Sequence, residues 1–594
     1  MKNKIFYTII LSSLFIYFVQ AQTNVSGVLN GANTWTLAGS PYVVQADITI
    51  PLGSSLLIQP GVVVKFTGFY DEIWVNGSLN ATGTNMAPIV FTALSDDSYA
   101  GDTNGDGGAT SPVPGSWSSI NYLVGSNGTF DNCIVKYGSG AFPGMVRIFS
   151  NDVIIQHSDL LYGEEHGIYI ENACPSITNN IFKNNGEQGV SINGFDGTKE
   201  FRFTNNQFEN NSWAVYALLT EETNNIILTG NSSSGKNVDG FGRNGFGFSG
   251  TIAGNVIYDG QSNFPFIIWE DTHILADGGI DLSPGTVVKF NDYNDELFVD
   301  GYLNAPGTEN APIVFTSIAN DQFGGDTEGN LDETVPVPGA WSTIRYSNAS
   351  SGNLNHCLLS YGSGAFSGMI QIYSNDVSIS NSSISFGQER GIYIENSSPD
   401  IFQNSFENNY DHGISINGFD SEKAFVLSYN QFKDNGWAVY AALSEETNNI
   451  ILTGNSSIGK NVDGFARNGF GLAGTIAGMV VYDGQADFPF IIWEDTHILP
   501  EGGVDFSPGT VVKFNDFYDE IWVNGYLNAP GTENAPIVFT SVANDQFGGD
   551  TEGNLDETIP VPGAWSTINY GVGSKGNLVN CHFSYGSGAY PGIV

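Results

Sequence analysis

The segment Asp102-Thr-Asn104-Gly-Asp106-Gly-Gly108 places oxygen-bearing side chains at alternate positions and follows them with glycine. A hard cation such as Ca2+ takes six to eight oxygen ligands at about 2.3–2.6 Å, and that spacing suits it. Later segments read Asp326-Thr-Glu328-Gly-Asn330-Leu-Asp332 and Asp550-Thr-Glu552-Gly-Asn554-Leu-Asp556, so an oxygen side chain stays at each alternate position. Asp97, Asp321 and Asp545 stand five residues before the respective first ligands and could complete each shell. These residues are the candidate metal set, with Ca2+ as the expected cofactor. The twelfth position of the first loop is Val113, so the bidentate acid of an EF-hand is missing. The competing reading is a solvated polar turn.

Acid–base chemistry has weaker candidates. Glu270-Asp271-Thr272-His273 and Glu494-Asp495-Thr496-His497 join imidazole to carboxylates. Strand alternation, however, sends Glu270 and Asp271 to opposite faces, which fits an exposed polar strand better than a site. Paired acids occur at Asp71-Glu72, Asp295-Glu296, Asp519-Glu520, Glu164-Glu165, Glu221-Glu222 and Glu445-Glu446. Lys65, Lys289 and Lys513 follow paired valines and have acids nearby; they read as exposed ion pairs rather than bases. Arg243 and Arg467 share the sequence Arg-Asn-Gly-Phe-Gly. Trp213/Tyr216 and Trp437/Tyr440 on strands, with Phe69-Tyr70, Tyr293 and Phe517-Tyr518 in turns, offer platforms for sugar stacking. For the strand aromatics, burial in the core or stacking between coils is the expected outcome. Almost every candidate recurs as scaffold, so no catalytic residue is assigned.

That recurrence is the main fact about the elements. Trp117, Trp341 and Trp565 are 224 residues apart, as are Lys65, Lys289 and Lys513, and Cys133, Cys357 and Cys581. The chain divides into a leader at 1–21, copies at 28–251 and 252–475, and a third copy at 476–594 that stops partway, so continuation beyond Val594 is expected. Inside each copy, runs such as Gly391-Ile392-Tyr393-Ile394 and Gly413-Ile414-Ser415-Ile416 recur 22 residues apart with alternating polarity. Asn and Gly between them supply turns. Equivalent residues repeating coil after coil favour a right-handed parallel β-helix over a hairpin-built sandwich. A pitch of about 4.8 Å gives nine or ten coils per copy and a rod of roughly 110–120 Å. The fold class is therefore an all-β solenoid, with three cysteines too far apart to pair and read as buried free thiols.

The order Pro284-Gly-Thr-Val-Val-Lys-Phe290, Gly301–Thr308, Ala311–Ser317 and Pro336–Trp341 resembles the large secreted bacterial proteins of the pectate-lyase-like β-helix class. The coils at 381–419 resemble the short parallel β-helix repeats of that class. The resemblance implies fold and export. It leaves activity open, because the class includes lyases, hydrolases, epimerases and adhesins. The polygalacturonase pattern is missing: Glu165-His166-Gly167 is a fragment of its Gly-His-Gly, and the copy of that fragment reads Glu389-Arg390-Gly391.

Residues 1–21, with Lys2, Lys4, an apolar run and Val19-Gln20-Ala21, read as a secretory signal peptide. No later run is long and apolar enough to be a transmembrane helix. Nineteen Lys and Arg against 62 Asp and Glu give a net charge of −43, which disfavours nucleic acid and anionic lipid as partners. The expected function is an exported extracellular or cell-surface scaffold for adhesion or glycan binding, assisted by calcium. The alternatives are a polysaccharide lyase or glycoside hydrolase acting on an acidic polysaccharide, and a spacer for a further module.

Overall fold

A computed structural model describes residues 22–220, 225–236, 242–261, 263–331, 334–420, 422–443, 449–460, 466–485, 487–555 and 558–594. The leader read at 1–21, the acid pairs Glu221-Glu222 and Glu445-Glu446, and the loop acids Asp332 and Asp556 lie outside the described residues. No described helix is long and apolar enough to cross a membrane.

The strands are short and every strand pair is parallel, as expected where equivalent positions recur coil upon coil. One ribbon is an open ladder of twenty strands running from Ala32–Trp35 to Lys575–Val579, one strand per coil. Two further ribbons merge at corners, where long strands bend and pair twice. Tyr42–Ile50, for example, pairs with Val63–Phe66 through its first half and with Ile73–Val75 through its second. The chain is thus a parallel β-solenoid of twenty turns.

This corrects the coil count. Between Ser78–Thr82 and its counterpart Tyr302–Pro306 the ladder climbs eight coils, not nine or ten. Only some coils keep the 22-residue spacing that pairs Ile154 with Ser176; Ser78 and Asn127 pair across 49 residues, because that coil carries the excursion 94–119. Loops lengthen coils without adding rise. The boundaries read at 251/252 and 475/476 fall inside the strands Arg243–Ile252 and Arg467–Ile476, through which the ladder continues.

Inward residues fill one continuous apolar core. The Pro-Gly-x-Trp tryptophans lie in it, stacked on a phenylalanine: Phe66–Trp117 and Phe290–Trp341 at 4.2 Å, Phe514–Trp565 at 4.1 Å. Asparagine makes the bends. Asn179, Asn184, Asn205 and Asn210 take positive φ, which Asn tolerates. The residue after each is a buried Asn whose amide bonds the next coil. Asn180 Nδ2 donates to Ile155 O at 2.9 Å and to Asn206 Oδ1 at 3.1 Å, and Asn206 continues to Asn231. The ladder satisfies backbone groups that a turn would otherwise bury unpaired. Cys133, Cys174 and Cys357 are buried free thiols and Cys581 is partly exposed.

Candidate functional site

The first acidic loop is a self-capped turn. Asp102 Oδ1 accepts from the amides of Gly105 (2.7 Å) and Asp106 (3.1 Å), and its Oδ2 accepts from Gly107 (2.8 Å). Asp106 accepts from the Thr110 hydroxyl and from the amides of Ala109, Gly108 and Thr110, and these bonds, the hydroxyl's first, hold its carboxyl below the usual range. Asn104 Nδ2 donates to Asp106 Oδ2 at 2.9 Å. Asp97, Asp102 and Asp106 bring carboxylate oxygens within 4.8 Å of one another. Asp97 Oδ1 is buried with no hydrogen-bond partner.

The later loops are built differently. Asp326 caps the amides of Asn330 and Leu331, and Asp550 those of Asn554 and Leu555. Glu328 and Glu552 each accept from the neighbouring Asn amide at 3.2 and 3.3 Å. Both loops reach back three coils to dock: Asn244 Nδ2 donates to Asp326 O, and Asn468 Nδ2 to Asp550 O, at 2.8 Å each. Asp321 and Asp545 stand at the loop entrances and favour the charged form of the lysine beneath. Among the described residues, only the first loop gathers three carboxylates within 4.8 Å.

Those lysines overturn an expectation. Lys65, Lys289 and Lys513 are not exposed ion pairs but wholly buried. Lys65 Nζ donates to Asp96 O (2.9 Å) and Gly101 O (3.0 Å). Lys289 Nζ bonds Gly325 O (3.0 Å) and Thr327 Oγ1 (2.6 Å), and Lys513 repeats this on Gly549 O and Thr551 Oγ1. Burial pushes Lys289 and Lys513 down to about 8. Each ammonium pins the root of an acidic loop to the solenoid wall.

Outside the core, each copy presents a rung-by-rung ladder. In the first copy it runs Trp74, Asn121, Arg147, Tyr169, Ser191, Tyr216. In the second it runs Phe298, Arg345, Gln371, Tyr393, Ser415, Tyr440. Trp213, Tyr216, Trp437 and Tyr440 are half-buried on the outer face rather than in the core, and the two tryptophans stack between coils, on Trp269 at 4.5 Å and Trp493 at 4.6 Å. Trp213 and Trp437 lie over glycines: a Cβ at Gly247 would come within 2.1 Å of the Trp213 ring, and one at Gly471 within 2.2 Å of Trp437. Arg243 and Arg467 pack over Trp269 and Trp493 at 5.4 Å. A groove of about 560 Å³ opens along the second-copy ladder, lined by Arg345, Arg390, Tyr393, Asn417 and Tyr440. Arg345 is held by Glu296 at 3.1 Å and lies over Phe298 at 4.6 Å.

The remaining acid candidates are structural. Glu270 and Asp271 are both exposed rather than on opposite faces, because the register slips between Ile268 and Thr272 where the strand turns a corner. His273 Nε2 lies 2.6 Å from Asp300 Oδ2. Asp71, Asp295 and Asp519 cap their own turns, while Glu72 accepts from Ser118, Ser119 and Asn121. A cluster missed in the sequence joins Glu165, buried His166 and Glu187, with ligand atoms within 4.8 Å. Burial pushes His166 down to about 4 and Glu165 up. The 22-residue period, which sets Glu187 one coil beyond Glu165, was the available signal. Arg147 and Arg345 also went unremarked, since they do not keep equivalent places in the copies, and Arg390 figured only as the counterpart of His166.

Residues 115–233 and 339–488 match the family model described as a right handed beta helix region. No curated protein matches the sequence. The matched segments hold the groove coils and the ladders from Asn121 and from Arg345 onward, and with the twenty-turn parallel ladder they give this chain the fold of a right-handed parallel β-helix repeat protein.

Proposed function

We propose that this protein is an exported scaffold that binds an extended glycan along the outer ladder, with calcium bracing the first acidic loop. The observation that carries the reading is the groove over Arg345, Tyr393 and Tyr440, where half-buried rings alternate with a small serine. Tyr393 and Tyr440 are two rungs apart, about 9.6 Å at the strand spacing, and Tyr169 and Tyr216 repeat the arrangement. Flat rings stack on sugar faces while Asn and Arg supply polar contacts. A linear polymer engaging both ladders gains avidity through effective concentration.

Retention on immobilised pectin, alginate and host glycans tests this. Tyr393→Ala with Tyr440→Ala should weaken retention, and adding Tyr169→Ala with Tyr216→Ala should abolish it. Equal retention of all variants, or no glycan retained by the wild type, would sink the reading. Appearance of new reducing ends or of an unsaturated uronate would replace it with an enzyme.

Calcium rests on the three gathered carboxylates and on the buried, unpartnered Asp97 Oδ1. A cation bound only by the folded state raises the melting temperature by mass action. Saturating Ca2+ should do so for the wild type and not for Asp102→Ala with Asp106→Ala. A melting curve indifferent to chelator rules it out. Export rests on the leader-like residues 1–21, and recovery of mature protein cleaved after Ala21 from the medium would test it.

A further inference from the structure

We propose that Glu165, His166 and Glu187 form a first-row transition-metal site of the Zn2+ class, separate from the acidic loops and not repeated in the second copy. Their ligand atoms lie within 4.8 Å of one another, and the His166 side chain is only 9% exposed. His166 Nδ1 stands 3.4 Å from Glu187 Oε2, while the Gln188 amide points its N–H at the same Nδ1 from 3.5 Å. In the tautomer whose Nδ1 accepts that N–H, a lone pair faces the carboxylate oxygen across 3.4 Å, and a cation between the two atoms satisfies both. Ligand atoms about 2.0–2.1 Å from a tetrahedral ion are about 3.4 Å apart, so the pair is already spaced for one.

The second copy supplies the independent comparison, because the same backbone holds other side chains. His166 O accepts from Met145 N at 3.0 Å, as Arg390 O does from Met369 N; Glu187 N donates to Glu165 O at 2.9 Å, as Asp411 N does to Glu389 O at 2.8 Å. Glu164, Glu165, His166 and Glu187 become Gln388, Glu389, Arg390 and Asp411. Counting the imidazoles as neutral, the first set carries three negative charges and the second one, a difference of two. In the second copy the Arg390 guanidinium stands 3.5 Å from Asp411 and supplies a fixed positive charge, with His412 Nδ1 2.9 Å from the same carboxylate. The first copy has no such fixed cation, and one divalent ion brings it to the same net charge. An imidazole among carboxylates selects zinc-like metals over calcium, which takes oxygen ligands. Three protein ligands leave one position of a tetrahedral ion to water.

The test is calorimetric titration of the untagged, chelator-treated protein with Zn2+ in the presence of saturating Ca2+, repeated with Co2+ to read ligand-field bands. The wild type should take up one equivalent that His166→Arg lacks, the variant copying the residue the second copy already accommodates. The Co2+ bands should vanish with it. If circular dichroism shows that His166→Arg is misfolded, Glu187→Gln should lose the same equivalent. Equal Zn2+ uptake by the wild type and a folded variant, or no uptake by the wild type, overturns the proposal. Neither result bears on glycan retention or on the calcium melting shift.

Discussion

Asp295 and Asp519 are buried turn caps whose Oδ2 atoms accept backbone amides from Asn291 and Asp292 and from Asn515 and Asp516. Burial dominates those bonds and pushes both carboxyls up to about 7. Between the unfolded value near 4 and the folded value near 7, the native state holds a proton that the unfolded chain has released. Stability from these groups is therefore full at the acid end of that window and declines as pH rises through it. Melting temperatures measured from pH 5 to pH 8 should fall, and Asp295→Asn with Asp519→Asn should flatten the slope, since an amide oxygen still accepts the same bonds. An unchanged slope would mean that the carboxyls stay ionised. The residue types at this scale were legible, but the acids read as possible active-site pairs. Burial decided otherwise, and burial depends on which coil covers the turn.

At the scale of elements, the acidic loops show how one sequence position acquires two structures. Asp102–Gly108 has no preceding copy to rest on, and it satisfies its amides with its own carboxylates. Asp326 and Asp550 begin loops whose backbone carbonyls are claimed by Asn244 and Asn468, three coils earlier. That docking explains why Asn-Gly-Asp-Gly in the first loop gives way to Glu-Gly-Asn-Leu in the later ones. The lysine beneath each loop is the common anchor. Lys289→Met would leave Gly325 O and Thr327 Oγ1 without their donor, a loss of about 1–3 kcal/mol. The melting temperature should drop and protease should cut first within 318–342. A variant as stable and as protease-resistant as the wild type would show that the ammonium anchors nothing.

For the whole molecule, a ladder of twenty parallel strands fixes a rod. At about 4.8 Å per coil its described length is about 90 Å, shorter than the 110–120 Å expected from the period alone. Small-angle scattering should give a cross-sectional radius that stays constant along a maximum dimension near that value. A compact globule would contradict the parallel stack. The polarity of the rod also matters for binding: each copy presents its ladder tyrosines in the same order along the axis, Tyr169 then Tyr216 and Tyr393 then Tyr440.

The sequence by itself determined the parallel stack. Alternating Ile, Val and Phe between Asn and Gly turns leaves each strand half-apolar, and recurrence of the same residues at each rung is satisfied only by coils laid in register. It also indicated that the repeated cysteines cannot pair with one another. Tertiary structure alone decided what lies between coils. Lys289 is a charged residue flanked by Val and Phe in either case, and only the excursion folded across it turns an apparent surface cation into a buried anchor. Trp213 reads as core by composition, yet Gly247 on the next rung leaves room for its ring outside. Glu165, His166 and Glu187 are ordinary polar residues until one coil sets the third beside the other two. Local patterning fixes the strand faces. Contacts between residues tens of positions apart depend on each coil's own loops, and the coils they lengthen vary from 22 to 49 residues within a single copy.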